Sequence, residues 1–527
     1  MSGRILAATA LAASMLLSSP APAQIAAANV TGGKVAGTVA DEIATFKGIA
    51  FAAPPVGPLR WKAPRPVAPW GGVRQANAFG PGCVQDMAMA IQMGHRGDLS
   101  EDCLYLNVWT PAKRANEKLP VIVWIYGGGF SGGMTSIPLY DGAHFAKRGV
   151  VFVSISYRVG PFGFLASPEL SKESGHGSGN YGMLDMIAGL KWVHANVAGF
   201  GGDPNRVTLL GHSAGAYAVS MLAASPLARG LFEGAIAESG ASFAPARNGD
   251  EGGSNLPSLA LAEREGAKFL AGLGVHDLAA ARALPAATIM TAALAGPPDR
   301  RPRFWPPLDG YVVPGDQYSL WQAGRLFNDT PILIGSNSDE AASFGPPTRV
   351  TPADFEAEVR KSYGAKAGEL LAAYPHATDA EAFRAHKQLR RDTEFGWPTY
   401  AWAELQARRG KGKAFVYYYD RPTAQNPDGS GHGQEVGYVF GNLAPRPPFF
   451  IPSEADHAYS DRMQLYWVNF AIRGDPNGPG LPAWPAFAAQ KPKVLRFGDE
   501  PAAAPLPNLP KLNALDAYYA WRRAGSK

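Results

Sequence analysis

The sequence predicts an α/β fold with a mostly parallel central sheet, helices on both faces and large helical insertions. Between residues 104 and 225, runs rich in β-branched and aromatic residues alternate with segments whose apolar residues recur at helical spacing. This alternation is typical of parallel sheets, because their neighbouring strands need crossover connections. The 527 residues are 46% hydrophobic, which is enough apolar material for a large core.

Three strand-like runs and one helix open this alternation. The runs are LYLNVWTP, LPVIVWIYGGGF and GVVFVSISYR. The helix is GMLDMIAGLKWVHANVAGF, which ends at a Gly-Gly-Asp-Pro stop. A short apolar strand, RVTLLG, and a second helix, AGAYAVSMLAAS, continue the order.

Further strands and two helical insertions follow. FEGAIAESG, TPILIGSNSDE and KAFVYYYD are typical of sheet strands. Residues 245–300 and 345–410 are Ala-rich and charged at helical spacing, which predicts helices that cover the sheet or form a lid. No repeat or low-complexity linker divides the chain, so we predict a single domain over residues 24–527.

The first 23 residues are typical of a secretory signal peptide. Arg4 precedes an apolar run over residues 5–17, and an Ala-Pro-Ala triplet ends at Ala23. The run is too short for a comfortable membrane span, and no cysteine follows it to carry a lipid. We therefore predict cleavage after Ala23 and a secreted or periplasmic protein without a membrane anchor.

The cysteine content and the net charge exclude some classes of function for this chain. Export into an oxidising compartment favours a disulfide between Cys83 and Cys103, the two cysteines of the chain. Two cysteines cannot form a structural zinc site alone, and the sequence has no HExxH or CxxC pattern, so we expect no metal or cofactor. A net charge of +5 over 527 residues is too dilute to indicate a nucleic-acid partner.

A G-x-S-x-G motif lies between the RVTLLG strand and the helix that follows it. In a nucleophile elbow the serine sits in a strained turn, and side chains at Gly211 and Gly215 would collide with the neighbouring strand and helix. The start of the helix also offers the N–H of Ala214 to an oxyanion. This context predicts Ser213 as a nucleophile rather than a small residue in a glycine-rich turn.

A second oxyanion donor is predicted in the loop WIYGGGFSGG, which follows an apolar strand. Glycines let backbone N–H groups turn toward one substrate oxygen without interference from side chains. We predict that Gly128 and Gly129 supply these N–H groups. The alternative is an ordinary glycine-rich turn.

The acid and the base should follow the serine, because elbow hydrolases order their triad as Ser, Asp or Glu, then His. Four histidines come after the region of the acid: His376, His386, His432 and His457. Since His432 lies in a glycine-flanked loop just after a strand, we predict it as the base. Asp339 and Glu340 both end the TPILIGSNSDE run, and chemistry alone does not separate them.

Ordered motifs from about Gly37 to Trp484 resemble the type-B carboxylesterases, which include cholinesterases and bacterial para-nitrobenzyl-type esterases. The motifs are FKGIAFAAPPVGPLRW, EDCLYLNVW, WIYGGGF, SYRVGPFGFL, GNYGMLDMIAGLKWVHANVAGFGGDPNRVTLLGHSAG, PLDG, SNSDEAASF and HGQEVGYVFG. The resemblance implies an α/β-hydrolase fold and hydrolysis of small-molecule carboxylic esters through an acyl-enzyme.

The resemblance also implies roles for individual residues. Glu340, rather than Asp339, would be the acid that acts with Ser213 and His432. The implied oxyanion hole consists of Gly128, Gly129 and Ala214. The implied structural links are the disulfide Cys83–Cys103 and the ion pairs Arg60–Glu101 and Arg158–Asp185.

Two departures from the family pattern bear on the substrate. Relatives commonly have Glu before the nucleophile, whereas this chain has His212, which should lie near the substrate but outside the triad. The alternative for His212 is a packed spacer. The disulfide loop contains no tryptophan, so the aromatic cation site of a cholinesterase is missing and choline esters are not expected as preferred substrates.

Further substrate contacts are predicted at Phe130 and in the segment PPDRRPRFWPPLDG, where relatives usually have aromatic or aliphatic side chains. Because guanidinium groups pair bidentately with carboxylates, Arg300, Arg301 and Arg303 are candidates to bind an acid group on the acyl portion of the ester. Polycarboxylate esters, such as the tricarballylic esters of fumonisin-type toxins, would suit such a pocket. The alternative is a solvated charged loop.

Two other functions remain open at this stage. An amidase or carbamate hydrolase would use the same machinery. A non-catalytic cholinesterase-like adhesion domain is the other alternative, but such domains have typically lost the nucleophile, and this chain retains Ser213, Glu340 and His432.

Overall fold

The computed structural model describes residues 24–95, 97–249, 256–325, 328–345, 347–423, 426–445 and 450–525. The predicted signal peptide, residues 1–23, lies outside the described residues. Among the helices of these described ranges, none is both long enough and apolar enough to cross a membrane.

The strands are numbered along the chain. They are β1 (Ala27–Val30), β2 (Gly33–Ala36), β3 (Thr38–Ala40), β4 (Ile43–Ala50), β5 (Val73–Gln75), β6 (Gly82–Cys83), β7 (Leu99–Ser100), β8 (Tyr105–Thr110), β9 (Leu119–Ile125), β10 (Val151–Ile155), β11 (Gly202–His212), β12 (Gly234–Glu238), β13 (Ile332–Asn337), β14 (Ala414–Tyr419), β15 (Lys493–Phe497) and β16 (Pro501–Pro505).

The α-helices are numbered in the same way. They are α1 (Met87–Gln92), α2 (Ala143–Lys147), α3 (Gly160–Phe164), α4 (Pro168–Ser174), α5 (Tyr181–Asn196), α6 (Ala214–Ala224), α7 (Leu259–Gly272), α8 (Leu278–Ala283), α9 (Ala286–Ala293), α10 (Gln317–Gln322), α11 (Pro352–Tyr363), α12 (Ala367–Ala373), α13 (Asp379–Arg391), α14 (Trp397–Arg409), α15 (Val436–Phe440), α16 (Glu454–Arg473) and α17 (Leu509–Arg523).

One large sheet organises the described residues, in the strand order β16-β15-β14-β13-β12-β11-β9-β10-β8-β4-β3. All neighbours from β10 to β15 pair in parallel, whereas β3, β4, β8 and β16 pair antiparallel at the two sides. The predicted mostly parallel sheet is therefore confirmed. Strands β3, β4, β15 and β16 extend it beyond the strands that the sequence predicts.

The central strands β12 and β13 are buried along their whole length. Such burial is expected for parallel strands that are covered on both faces. Helices α5, α6, α14 and α16 contact the central strands. The carboxyl ends of these strands consequently meet at one edge of the sheet, which is where α/β folds bind ligands.

The two predicted helical insertions contain α7 to α9 and α11 to α14. Local sequence signals start several of these helices: Thr351 and Thr378 each form a capping box with the residue three positions later. Helix α13 runs directly into a π-helical turn, Asp392–Gly396, and then into α14. This wider turn changes the side-chain register between the two helices.

Two ion pairs and a disulfide fix the segments beside the sheet. Arg60 Nε donates to Glu101 Oε1 at 2.7 Å, and Arg158 Nη2 donates to Asp185 Oδ1 at 2.7 Å. Cys83 and Cys103 are joined in a disulfide whose loop contains α1.

We predict that this disulfide contributes substantially to stability. Its cysteines lie 20 residues apart in the chain, and closing a loop of that size in the unfolded state is worth about 3 kcal/mol. The double variant Cys83→Ser, Cys103→Ser should lose roughly that much free energy of unfolding in a denaturant titration. Thiol titration of the unfolded, unreduced wild type should find no free thiol; two titratable thiols would contradict the pairing.

Candidate active site

Ser213 sits in a tight turn between strand β11 and helix α6. Its backbone has φ 57° and ψ −124°, a strained conformation for a residue with a side chain. Its N–H donates to the carbonyl oxygen of Glu238, the last residue of β12, at 2.8 Å. The serine is thus held at the carboxyl edge of the sheet.

The glycines on either side of Ser213 allow this turn to pack. A Cβ on Gly215 would lie 2.0 Å from the carbonyl oxygen of Ile125 in β9, and a Cβ on Gly211 would lie 2.4 Å from the carbonyl oxygen of Gly215. Both distances fall far inside van der Waals contact with backbone atoms. The steric reason for the two glycines that the sequence indicated is therefore present in the structure.

His432 lies in the loop between β14 and α15, and its ring is fixed by Glu340. His432 Nδ1 is 2.6 Å from Glu340 Oε2, and Glu340 Oε1 accepts the backbone N–H of Asn337 at 2.7 Å. Glu340 follows the end of β13 and is completely buried.

The neighbouring acid, Asp339, has a different partner. Its Oδ2 accepts from Lys387 Nζ at 2.5 Å, and its backbone N–H donates to the carbonyl oxygen of Ser430 at 2.9 Å. Of the two carboxylates that sequence chemistry left open, Glu340 is the one in contact with His432.

Two other buried carboxyl groups lie behind this pair. Glu435 accepts from the Asn337 side-chain amide, and Glu238 accepts from Trp467 Nε1 at 2.7 Å. Burial raises the pKa of Glu340 to about 7 and the pKa of Glu435 to about 8, and it raises the pKa of Glu238 well above its ordinary value. Because neighbouring carboxylates resist ionising together, we place the negative charge on Glu340, which faces the imidazole.

The ring of His432 is enclosed by three other rings. Phe344, Phe395 and His212 have ring centroids 4.9, 4.8 and 4.6 Å from that of His432. Burial, aided by the positive charge of Arg390, lowers the pKa of His432 to about 3. A neutral imidazole is the form that accepts a proton from a nucleophile.

Ser213 and His432 open into the same cavity of about 830 Å³. Its lining residues are Met89, Met93, Gly127, Gly128, Gly129, Ser131, Tyr140, His212, Ser213, Ala214, Tyr217, Pro298, Arg303, Trp305, Phe344, Arg390, Glu394, Phe395 and His432. The two methionines belong to the disulfide loop, so that loop supplies part of the wall.

The predicted oxyanion donors face this cavity. Gly128 and Gly129 have φ values of 119° and 61°, which turn the loop after β9 toward Ser213. Within the described part of the chain, no acceptor takes the N–H of either glycine. Ala214 begins α6, where the first N–H groups have no acceptor inside the helix.

The residues predicted to contact substrate differ in whether they line the cavity of Ser213. His212 lines the cavity of Ser213, whereas Phe130 lies behind Trp305 at a ring distance of 5.4 Å. Arg303 lines the cavity of Ser213 and also an adjoining cavity of about 730 Å³, whereas Arg300 and Arg301 line only the adjoining cavity. Of the three candidate arginines, Arg303 is the one that lines the cavity of Ser213.

Two charged residues of this cavity were missed by the sequence analysis. Arg390 comes from the last turn of α13, and Glu394 comes from the π-helical turn that follows. Both lie in a stretch that the sequence assigns only to charged helices. Helical periodicity in the sequence could not have marked these two residues, because the π-helical turn interrupts that periodicity.

A strand–serine–helix turn beside a buried histidine–glutamate pair, on a mostly parallel sheet, defines an α/β-hydrolase. The chain belongs to the carboxylesterase family, whose sequence profile matches residues 22–514. It is accordingly a carboxylic ester hydrolase.

The similarity to individual proteins supports this family assignment. The chain is 37% identical over 489 residues to a fumonisin B1 esterase of Sphingopyxis macrogoltabida, covering 88% of this chain and 84% of that protein. It is 34% identical over 497 residues to a phenmedipham hydrolase of Pseudarthrobacter oxydans, covering 90% and 95%. A solved PNB esterase is similar with a TM-score of 0.79 and 31% identity, over 94% of this chain and all of that one.

We predict that the turn at Ser213 depends on Gly215. Gly215→Ala should lower the midpoint of thermal unfolding markedly, because the new methyl group would lie 2.0 Å from a backbone oxygen of β9. Gly368→Ala in α12 is the matched control, since its Cβ would meet no atom within 4 Å and alanine favours a helix. Equal thermal midpoints for the two variants would show that the close approach at Gly215 is unimportant.

Proposed function

We propose that this protein is a secreted serine esterase in which Ser213, His432 and Glu340 act as a catalytic triad. The observation that carries the proposal is the 2.6 Å contact between His432 and Glu340 in the cavity that Ser213 faces. Burial keeps the imidazole neutral, and the carboxylate fixes its Nδ1–H, so that Nε2 is the nitrogen that accepts a proton.

Acylation begins at the ester carbonyl. His432 Nε2 takes the Ser213 hydroxyl proton as Oγ bonds to the carbonyl carbon, and the carbonyl π electrons move onto oxygen. The N–H groups of Gly128, Gly129 and Ala214 receive that oxyanion. The tetrahedral intermediate then expels the alkoxide, which takes the proton from His432 and leaves as the alcohol.

Deacylation repeats these steps with water. His432 removes a proton from the water as its oxygen bonds to the acyl carbon, and the same N–H groups bind the second oxyanion. The bond to Ser213 Oγ then breaks, and the serine recovers its proton from His432. The products are a carboxylic acid and the free enzyme.

We further propose that the acyl portion of a preferred substrate carries a carboxylate, as in polycarboxylate esters. Arg303 supports this proposal, because its guanidinium group lines the cavity of Ser213 and stacks 4.0 Å from the ring centre of Trp305. The similarity to a fumonisin B1 esterase points to the same class of substrate. Export, which the N-terminal sequence indicates, is compatible with the Cys83–Cys103 disulfide.

The triad is tested by replacing its members one at a time. Ser213→Ala should lower kcat for a neutral 4-nitrophenyl ester by about 10⁴- to 10⁶-fold, because no nucleophile remains. Glu340→Gln should lower kcat far more than Asp339→Asn, because Asp339 contacts Lys387 and not His432. Near-normal turnover by Ser213→Ala would overturn the proposal, and the reverse order of the two acid variants would move the acid to Asp339.

The pH dependence of the same reaction tests the state of His432. Protonated imidazole cannot accept the serine proton, so kcat/KM falls as pH drops through the pKa of His432. Because burial lowers that pKa below its ordinary 6.5, the limb that His432 causes should lie below pH 6.5. Protonation of Glu340, whose burial raises its pKa to about 7, can add a separate limb, so the profile is also measured in Glu340→Gln. Activity regained on return to neutral pH would exclude unfolding as the cause, whereas a reversible limb at or above pH 6.5 that persists in Glu340→Gln would contradict a buried neutral base.

A further inference from the structure

The cavity of Ser213 has one arginine on each of two aromatic walls. Arg303 stacks on Trp305, whose ring contacts Phe130 at 5.4 Å and Tyr217 at 5.7 Å. On the other wall, the guanidinium group of Arg390 lies 4.9 Å from the ring centre of Phe344.

Each of these walls lies next to one of the reacting groups. The ring of Phe344 is 4.9 Å from that of His432, so Arg390 lies beside the base. Phe130 directly follows the glycines of the oxyanion loop, and Tyr217 lies one turn into the helix that begins after Ser213. A group bound between Arg303 and Arg390 would therefore lie near an ester carbonyl at Ser213.

A glutamate belongs to the same set of charges. Glu394 Oε1 is 3.4 Å from Arg390 Nε, and the positive charges of both Arg390 and Arg303 counter the rise that burial causes in the pKa of Glu394. The carbonyl oxygen of Glu394 accepts from Tyr217 OH at 2.5 Å, which ties the π-helical turn to α6.

The charges of this set do not cancel. Among the described residues that line the cavity, Glu394 is the only carboxylate and Arg303 and Arg390 are the only permanent cations. Burial makes the charged form of Arg303 less favourable, and Arg390 adds repulsion, so a second carboxylate would relieve both effects. A purely structural set would instead pair each arginine with its own acid.

We propose that Arg303 and Arg390 together bind an ionised carboxylate on the acyl portion of the ester, with Glu394 as the resident counter-ion that weakens this binding. Arg390 and Glu394 thereby become specificity-determining residues. The inference rests on the proposed esterase function and deepens it: the preferred acyl group carries at least one free carboxylate, at a distance from the ester carbonyl that spans Ser213 and the two arginines.

The test compares two esters that differ in one charge. Mono(4-nitrophenyl) adipate carries a free carboxylate, and methyl 4-nitrophenyl adipate is its neutral counterpart. The measured quantity is the ratio of kcat/KM for the anionic ester to kcat/KM for the neutral ester. A change of ratio reports recognition of the carboxylate, whereas a general defect of the site changes both values together.

The variants should move this ratio in opposite directions. Arg303→Met and Arg390→Met keep a side chain of similar length on the aromatic rings but remove the charge, so each should lower the ratio about tenfold or more. Glu394→Gln removes the competing charge and should raise the ratio about threefold. Arg384→Met is the matched control, because Arg384 is exposed on the same helix as Arg390 and lies outside the cavity; it should leave the ratio unchanged.

Inhibition by adipate is a second measurement of carboxylate binding, for use when a variant folds poorly. Adipate should inhibit hydrolysis of the neutral ester competitively in the wild type, and the inhibition constant should rise in Arg390→Met. The inference is overturned if Arg390→Met leaves the ratio unchanged, if Glu394→Gln lowers it, or if adipate does not inhibit. Failure of the triad is a separate result, since it would appear as neutral-ester turnover that survives Ser213→Ala.

Discussion

The close approach of helix α6 to strand β9 is the constraint on which the site depends. Gly215 lies so near the carbonyl oxygen of Ile125 that a single methyl group would not fit. The glycine loop after β9 also packs closely on this turn, because a Cβ on Gly127 would lie 2.8 Å from the Cβ of Ser213. Two backbone turns thus interlock at the carboxyl edge of the sheet. This contact brings the serine, the N–H of Ala214 and the glycine loop into one cavity.

Charge balance is the second constraint, because three carboxyl groups are buried behind His432. Burial and mutual repulsion raise the pKa values of all three, to about 7 for Glu340 and to about 8 for Glu435, so Glu340 ionises before Glu435. Glu340 also accepts a backbone N–H from the strand before it. One carboxylate can therefore orient the imidazole while the group of three avoids several buried charges.

Local features of the site could be predicted from the residues themselves, whereas features that depend on distant partners, such as Glu340 as the acid, were predicted only through the family resemblance. The elbow around Ser213 is a steric property of five consecutive residues, so the motif and its flanking strand and helix suffice. The contact of Glu340 rather than Asp339 depends on Lys387, which is 48 positions from Asp339. For the fold, apolar central strands were recognisable, but the short edge strands β3 and β16 have mostly exposed side chains and carry no such pattern.

His212, Arg303 and Arg390 together help to set the charge of the cavity that Ser213 faces. In the family that this chain resembles, a glutamate commonly precedes the nucleophile. Here the residue is His212, which is buried and lines the cavity. Burial lowers the pKa of His212 well below its ordinary value, so its imidazole is neutral. A glutamate in the position of His212 would repel the acyl carboxylate that we propose, whereas neutral His212 does not. The neutrality of His212 and the positive charges of Arg303 and Arg390 therefore act in the same direction on that proposed carboxylate.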